Sequence, residues 1–250
     1  MAKTAQPGPA APKVRLFETW PGPVTLRRGW AKAAARPWNQ DYNDAHLRII
    51  RGGPGFIAGC AERLFAAGAP SVISIPLPYA AARPWRAAGF EPYLNLALLR
   101  LDLGSSPRTP DHLVQQGSRD DVAAAAIIDS EAFEPFWRLD AIGLTEALDA
   151  TAKSTLLVIR DDVGGLAGFA ILGLGHALAY LQRMAVLPRW QRQGMGRSMV
   201  RACARQARQN GAGALLLNTQ TDNGSARSLY EQEGFINLTD SLGLLRLAAV

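Results

Sequence analysis

"YLQRMAVLPRWQRQGMGRSMV", Tyr180 to Val200, passes from an apolar, β-prone run through Pro188 into the doublet Gly194-Met195-Gly196, and there its period changes. From Gly194 onward Met195, Met199, Cys203 and Ala207 recur at helical spacing, while Arg197, Arg201, Arg205 and Arg208 fall on another face, the last three reading as a solvated stripe. A strand, a glycine turn and a helix therefore follow one another. Glycine lets the backbone approach an anion closely, and the helix that starts there aims unpaired N–H groups and its positive dipole end outward. Phosphate is the natural ligand of such a loop. No G-x-x-x-x-G-K-[ST] occurs in the chain, and "GMGRSM" lacks the third glycine of G-x-G-x-x-G. With no lysine to reach a γ-phosphate and no acidic residue for Mg²⁺, a pyrophosphate held mainly by backbone N–H groups fits the loop better.

The flanks extend the pattern. Upstream, "STLLVIR" (Ser154 to Arg160), "AGFAILGLG" (Ala167 to Gly175) and "ALAYLQRMAVL" (Ala177 to Leu187) read as a three-strand meander. Before it, Ser118 and Asp121 have capping-box spacing and open an alanine-rich helix. Downstream, Gly211 suits the residue after a helix, "ALLLNTQ" a buried strand, "NGSARSLYEQEG" a short helix closed by Gly234, and "FINLTDSLGLLRLAAV" a closing hairpin. The fold class expected is α/β (α+β), a mixed central sheet flanked by helices.

The chain has 250 residues, enough for two domains of ordinary size. Residues 104–117 carry Gly104, Ser105, Ser106, Pro107 and Pro110 and read as a linker, and residues 1–13 as a disordered leader without an apolar core. Residues 14–103 resemble part of the second half of the chain. One offset superposes Gly53 on Gly196, Cys60 on Cys203 and Gly68 on Gly211; after a small indel Trp85 meets Tyr230, and Gly89-Phe90 meets Gly234-Phe235. The front loop "GGPGFIA" satisfies G-x-G-x-x-A at Gly53, Gly55 and Ala58, but Pro54 removes an N–H donor, and Trp85 offers no phenolic proton.

Composition bounds the function. With 48% hydrophobic and 19% charged residues and no apolar run long enough to span a bilayer, the chain reads as a globular cytoplasmic protein with no membrane partner. Its net charge of +6 comes from arginines spread along the chain, which argues against nucleic acid and favours an anionic ligand. The two cysteines are far apart and read as buried thiols; no metal-ligand spacing and no Ser-His-Asp or Cys-His set is found.

The loop and its flanks resemble the GNAT acyltransferases, whose acyl-CoA pyrophosphate site reads R/Q-x-x-G-x-G/A after the fourth strand. Gln191-Arg192-Gln193-Gly194-Met195-Gly196 matches in full, "MAVLP" resembles that strand, and "NTQTDNGSARSLYEQEGF" resembles the fifth strand and the helix after it. The resemblance covers residues 109–250 and implies a catalytic GNAT domain at 118–250, preceded by a degenerate partial copy at 14–103. It implies acetyl-CoA as co-substrate. Met184, Ala185 and Val186 would hold the pantetheine arm by their backbone, and Gln191, Arg192, Gln193, Gly194, Met195, Gly196, Arg197 and Ser198 the phosphates, with Asn223 also at the cofactor. Tyr230 would protonate the leaving thiolate, and a strand N–H at Ala185 or Val186 would face the oxyanion.

"IDSEAFEPFWRLD" resembles the substrate-side helix of the subgroup that acetylates protein N-terminal amines. That subgroup carries a glutamate base on the fifth strand. Asn218 stands at this catalytic position and cannot take a proton at neutral pH. Glu131 is then the leading base, with Glu134 and Asp140, while Phe136, Trp137 and Tyr180 would line the acceptor site for a small-molecule amine or a peptide N-terminus. Asn218 favours a competing class, a non-catalytic acyl-CoA-binding module; Tyr230 favours an enzyme. Gly194→Val or Gly196→Val should weaken CoA binding at least tenfold by calorimetry, since each charge-assisted hydrogen bond lost is worth about 1.5–3 kcal/mol. A folded variant with unchanged affinity would place the phosphates elsewhere.

Overall fold

In the computed structural model, which describes residues 13–249, β-prone runs and helical periods separate largely as the sequence suggests. The leader read at 1–13 falls, except for Lys13, outside the described residues. Residues 13–38, 42–94 and 243–249 cluster as one unit, and residues 39–41 and 95–242 as a second.

The first unit holds β1 (Arg15–Phe17), β2 (Val24–Arg28), β3 (Ala31–Pro37), β4 (Ala45–Arg51), α1 (Pro54–Ala66), β5 (Ser71–Ser74), β6 (Leu77–Pro78), α2 (Arg83–Arg86) and the start of β7 (Glu91–Asp102). β1 to β4 form an antiparallel meander, and β4 pairs parallel with β5 from Ala45↔Val72 to Leu47↔Ser74. The apolar face of α1, Phe56, Ile57, Cys60 and Leu64, is buried against Leu26, Leu47 and Val72.

The second unit holds the rest of β7, β8 (Gln115–Gln116), α3 (Val122–Ala132), α4 (Ala141–Asp149), β9 (Lys153–Arg160), β10 (Leu166–Leu174), β11 (Leu178–Val186), α5 (Met195–Gln209), β12 (Ala214–Gln220), α6 (Gly224–Gln232) and the start of β13 (Ile236–Ala248). Its strands run β7-β12-β11-β10-β9-β8, with only β11 and β12 parallel. Ser118 and Asp121 make the expected capping box, and Gly211 follows α5 with φ +86°. Met199, Cys203 and Ala207 are fully buried against the sheet, and α3 and α4 enclose a separate cluster around Phe169 and Ile171.

The element order β2-β3-β4-α1-β5-α2-β7 recurs as β9-β10-β11-α5-β12-α6-β13. The front copy thus includes a meander that its sequence does not announce, and among the described residues it lacks counterparts of α3 and α4, so it is partial. The matched aromatics pack alike: Trp85 lies 5.0 Å from Phe90, and Tyr230 5.6 Å from Phe235.

Three readings change. The closing segment is one strand of 13 residues, not a hairpin, because none of its residues takes the positive φ that a tight hairpin turn demands. Helix α4 was not expected; Asp140 caps it by accepting from Gly143 N–H at 2.8 Å. The arginine stripe of α5 is not free in solvent, since Arg201 pairs with Glu233 and Asp111 and Arg208 binds Ser106.

β12 is paired with β7 along the whole length of β12, from Asp102↔Ala214 to Leu96↔Gln220. A fragment 109–250 would leave the apolar β12 as a bare edge, which favours aggregation. It should melt well below a fragment 95–250, or precipitate; coincident melting curves by circular dichroism would contradict this role of β7.

Candidate active site

The site begins with a break in strand pairing. β11 and β12 run in register from Leu178↔Ala214 to Leu181↔Leu217 and then part, and β11 immediately inserts an extra residue. Gln182 is that bulge: Ile171 opposes Arg183, while Leu172 opposes Leu181. β11 stays bound to β10 up to Val186, so its opposite edge is open from the bulge onward. Leu187 N–H donates to Ala167 O at 2.9 Å. By the alternation of a strand, Ala185 N–H also turns to β10, and the N–H groups of Met184 and Val186 face the open side. Of the two N–H groups expected to face an oxyanion, that of Val186 lies on the open side and that of Ala185 on the side of β10. Gln191 closes the end of this edge by donating its Nε2–H to Val186 O at 3.0 Å.

The edge runs into the glycine loop. Arg192 (φ +61°) and Gly194 (φ +87°) both take left-handed backbone, which turns successive N–H groups to one concave side. Among the described residues, no backbone carbonyl accepts from the N–H groups of Arg192 through Arg197. Six consecutive donors at the start of a 15-residue helix make an anion receptor. A Cβ on Gly196 would lie 3.4 Å from Leu229 Cδ2, an ordinary van der Waals contact, so α6 packs beside the loop. Tyr230, the next residue of α6, is 7% exposed, and burial pushes its phenol up to about 12, with Cys203 adding to the rise and Arg183 opposing it.

A buried ion pair stands next to the bulge. Asp129 of α3, with no exposed surface, accepts from Arg183 Nε and Nη2 at 2.6 and 2.7 Å and from Leu139 N–H at 2.7 Å. Arg183 follows the bulge; it also donates to Trp137 O at 2.6 Å and lies over the Phe133 ring at 3.6 Å. Asn39 donates to Pro135 O at 2.8 Å and Arg138 O at 3.2 Å, holding the same 3₁₀ turn, Pro135–Trp137. Among the described residues no group of three or more His, Cys, Asp or Glu side chains is placed to hold a metal, and no helix is long and apolar enough to cross a membrane.

The profile of the acetyltransferase (GNAT) family matches residues 123–235. A protein of Bacillus subtilis described as an uncharacterized N-acetyltransferase, YhfO, is 30% identical over 132 residues, covering 49% of this chain and 88% of that one. The chain belongs to the GNAT acetyltransferase family. The bS18 ribosomal-protein alanine N-acetyltransferase of Escherichia coli is 36% identical over 76 residues, 30% of this chain; the match spans about half, 51%, of that relative. A tandem GNAT protein from the clavulanic acid biosynthesis pathway shares the fold at TM-score 0.63 and 13% identity, over 96% of this chain and 85% of that one. A GCN5-related N-acetyltransferase from Sphaerobacter thermophilus does so at TM-score 0.56 and 16% identity, over 91% and 81%.

On this GNAT frame the expected residues sort themselves. Met184, Val186 and the loop from Gln191 to Gly196 lie along one path, and Asn218 sits on β12 one residue beyond the last pair with β11. Phe136 and Trp137 are half-buried beside Arg183, and Tyr180, 38% exposed, lies on β11 before the bulge. Other side chains are committed elsewhere. Arg197 binds Glu233 at 3.1 Å and Gln232 at 2.6 Å, Ser198 is buried and accepts from the amides of Asp111 and His112, and Asn223 caps α6 by accepting from Ala226 N–H at 3.1 Å. Glu131 and Glu134 are exposed.

Sequence reading missed Asp129, Arg183, Asn39 and His112, all joined by long-range bonds that leave no local pattern. Removing one partner of a buried ion pair typically costs about 3–5 kcal/mol, so Asp129→Ala should destabilise the chain by that order in urea unfolding. Asp129→Leu with Arg183→Met should recover much of the loss; a double variant as weak as the single would mean that the pair acts through Leu139 N–H instead.

Proposed function

We propose that this GNAT protein is an acetyl-CoA-dependent N-acetyltransferase that passes the acetyl group to a primary amine by direct attack in a ternary complex. The observation that carries the reading is the open edge of β11, where the N–H groups of Met184 and Val186 lead straight into six unpartnered donors. An extended, amide-bearing arm ending in a pyrophosphate matches that series: the arm adds to the strand edge, and the diphosphate meets the loop.

In this mechanism the neutral amine attacks the thioester carbonyl carbon, forming the C–N bond. Val186 N–H receives the charge that develops on oxygen. The C–S bond then breaks, and Tyr230 gives its phenolic proton to the departing sulfur, whose thiol ordinarily titrates at about 8.5. A phenol at about 12 is held protonated throughout the physiological range. The proton lost by the amine passes to solvent or to a carboxylate, since Asn218 cannot accept it, and the Tyr230 phenolate takes a proton from solvent to restore the phenol. Glu131 and Glu134 are the exposed candidates, with Glu131 leading, whereas Asp140 is occupied in capping α4.

The acceptor is a small-molecule amine or a peptide N-terminus, the latter suggested by the relative that acts on a ribosomal-protein alanine. The alternative, a binding module without turnover, gains from Asn218 but gives no reason for a buried, protonated Tyr230 beside the open edge. A screen of small amines, aminoglycosides and peptide N-termini, read by CoA release, tests the activity. Tyr230→Phe should lower kcat by roughly 10²–10⁴-fold while the Kd of acetyl-CoA changes only a few-fold. Wild-type kcat should show no alkaline loss from this group until pH nears 12. A Tyr230→Phe enzyme with wild-type chemistry would remove Tyr230 from the mechanism.

A further inference from the structure

Residues 106–112 run along α5 from its last turn to its first, and bonds fasten them at both ends. Arg208 Nη1 donates to Ser106 Oγ at 2.7 Å, and Arg201 Nη1 donates to Thr109 O at 3.1 Å and Asp111 Oδ2 at 2.8 Å. Arg201 is itself held by the buried carboxylate of Glu233. At the far end the amides of Asp111 and His112 both donate to Ser198 Oγ, each at 3.1 Å. The His112 ring then reaches the glycine loop. Its Nε2 lies 2.7 Å from Gln193 O, an acceptor, so the ring proton is on Nε2. A Cβ on Gly194 would lie 3.4 Å from the same nitrogen.

Gln193 O and Gly194 N–H belong to one peptide unit, and in a planar trans peptide the two point in opposite directions. Binding the oxygen on the strap side therefore aims the Gly194 amide to the other side. The unit needs this hold, because a peptide next to glycine has no Cβ to stop it from turning over. We propose that His112 is a positioning residue of the loop: its Nε2–H fixes the Gln193–Gly194 peptide so that the Gly194 amide is set in advance to meet a diphosphate oxygen. The inference rests on the reading of the loop as the diphosphate receptor of acyl-CoA. It also explains why Ser198, in the first turn of α5, spends its hydroxyl on the strap.

Calorimetry on the full chain tests it, with CoA and with pantetheine, which lacks the diphosphate, as the two probes. His112→Ala should weaken CoA about tenfold, the value of one oriented hydrogen bond to a charged group, and leave pantetheine unchanged. His112→Gln, whose side-chain N–H can still donate to Gln193 O, should restore CoA affinity to within about threefold of wild type. Ser198→Ala, which removes the acceptor of both strap amides, should weaken CoA in the same direction and covers the case in which His112→Ala does not fold. Unchanged CoA affinity in folded His112→Ala, or equal losses for CoA and pantetheine, would overturn the role of His112. If the wild-type chain binds CoA no better than pantetheine, the diphosphate reading itself falls, and this inference with it.

Discussion

A strand whose backbone is paired on both sides has nothing left to offer a ligand. The second unit resolves that constraint at one place, where β11 and β12 part after Leu181 and Leu217 and Gln182 bulges. Before this point the sheet is continuous and serves stability; beyond it one edge of β11 is open. The rest of the site is arranged around the opening. β12 keeps its other edge bound to β7 through Gln220, so it does not follow β11, and α6 packs Tyr230 into the same buried cluster as Val186. Parallel strands that separate while each keeps its outer neighbour make a notch with fixed walls.

The wall beside the bulge is tied to it by charge. A bidentate Arg183–Asp129 pair, with Asp129 fully buried, is a poor source of net stability, because desolvation offsets most of the attraction. Its value lies in geometry. The guanidinium reaches Asp129 of α3, the carbonyl of Trp137 and the ring of Phe133, so the residue after the bulge and the turn that faces it share one orientation. A lysine could not make the same set of planar contacts. Arg183 also lies near enough to Tyr230 to oppose the upward shift of its phenol, which couples the ion pair electrostatically to α6.

What could be read in the sequence was what is local. The glycine loop, the period of α5, the Gly211 stop and the capping box at Ser118 each depend on residues a few positions apart, and each is found in the structure. The single strand β13 was misread because "DSLG" has turn-like composition, yet pairing with strands far away in sequence keeps it extended. The arginine stripe looked solvated because its partners, Ser106, Thr109, Asp111 and Glu233, carry no periodic signal. Ser198 and Asn223 were read as cofactor ligands from their place in the motif, but a hydroxyl or carboxamide at a helix start is as useful to the chain as to a ligand, and here both bind backbone amides.

The front copy repeats the strand-turn-helix with a different loop. Its helix begins at Gly53 with extended backbone instead of the left-handed turn of Gly194, and Pro54 occupies the first helical position, where it has no N–H to give. A Cβ on Gly52 would lie 2.4 Å from Phe56 Cδ1, so the buried Phe56 ring is packed against the loop backbone. The phenol is replaced by Trp85, buried against Phe90. Ser74, at the end of the β4–β5 pairing, uses its hydroxyl to accept from Leu245 N–H at 2.9 Å. In each of these places the front copy uses its side chain or backbone for packing or pairing, while the strand order and the parallel pair are kept. Strand order is set by burial spread over many residues and tolerates single substitutions, whereas a run of N–H donors at a helix start depends on a few residues and is shortened by one proline. The asymmetry between the copies follows from that difference in redundancy.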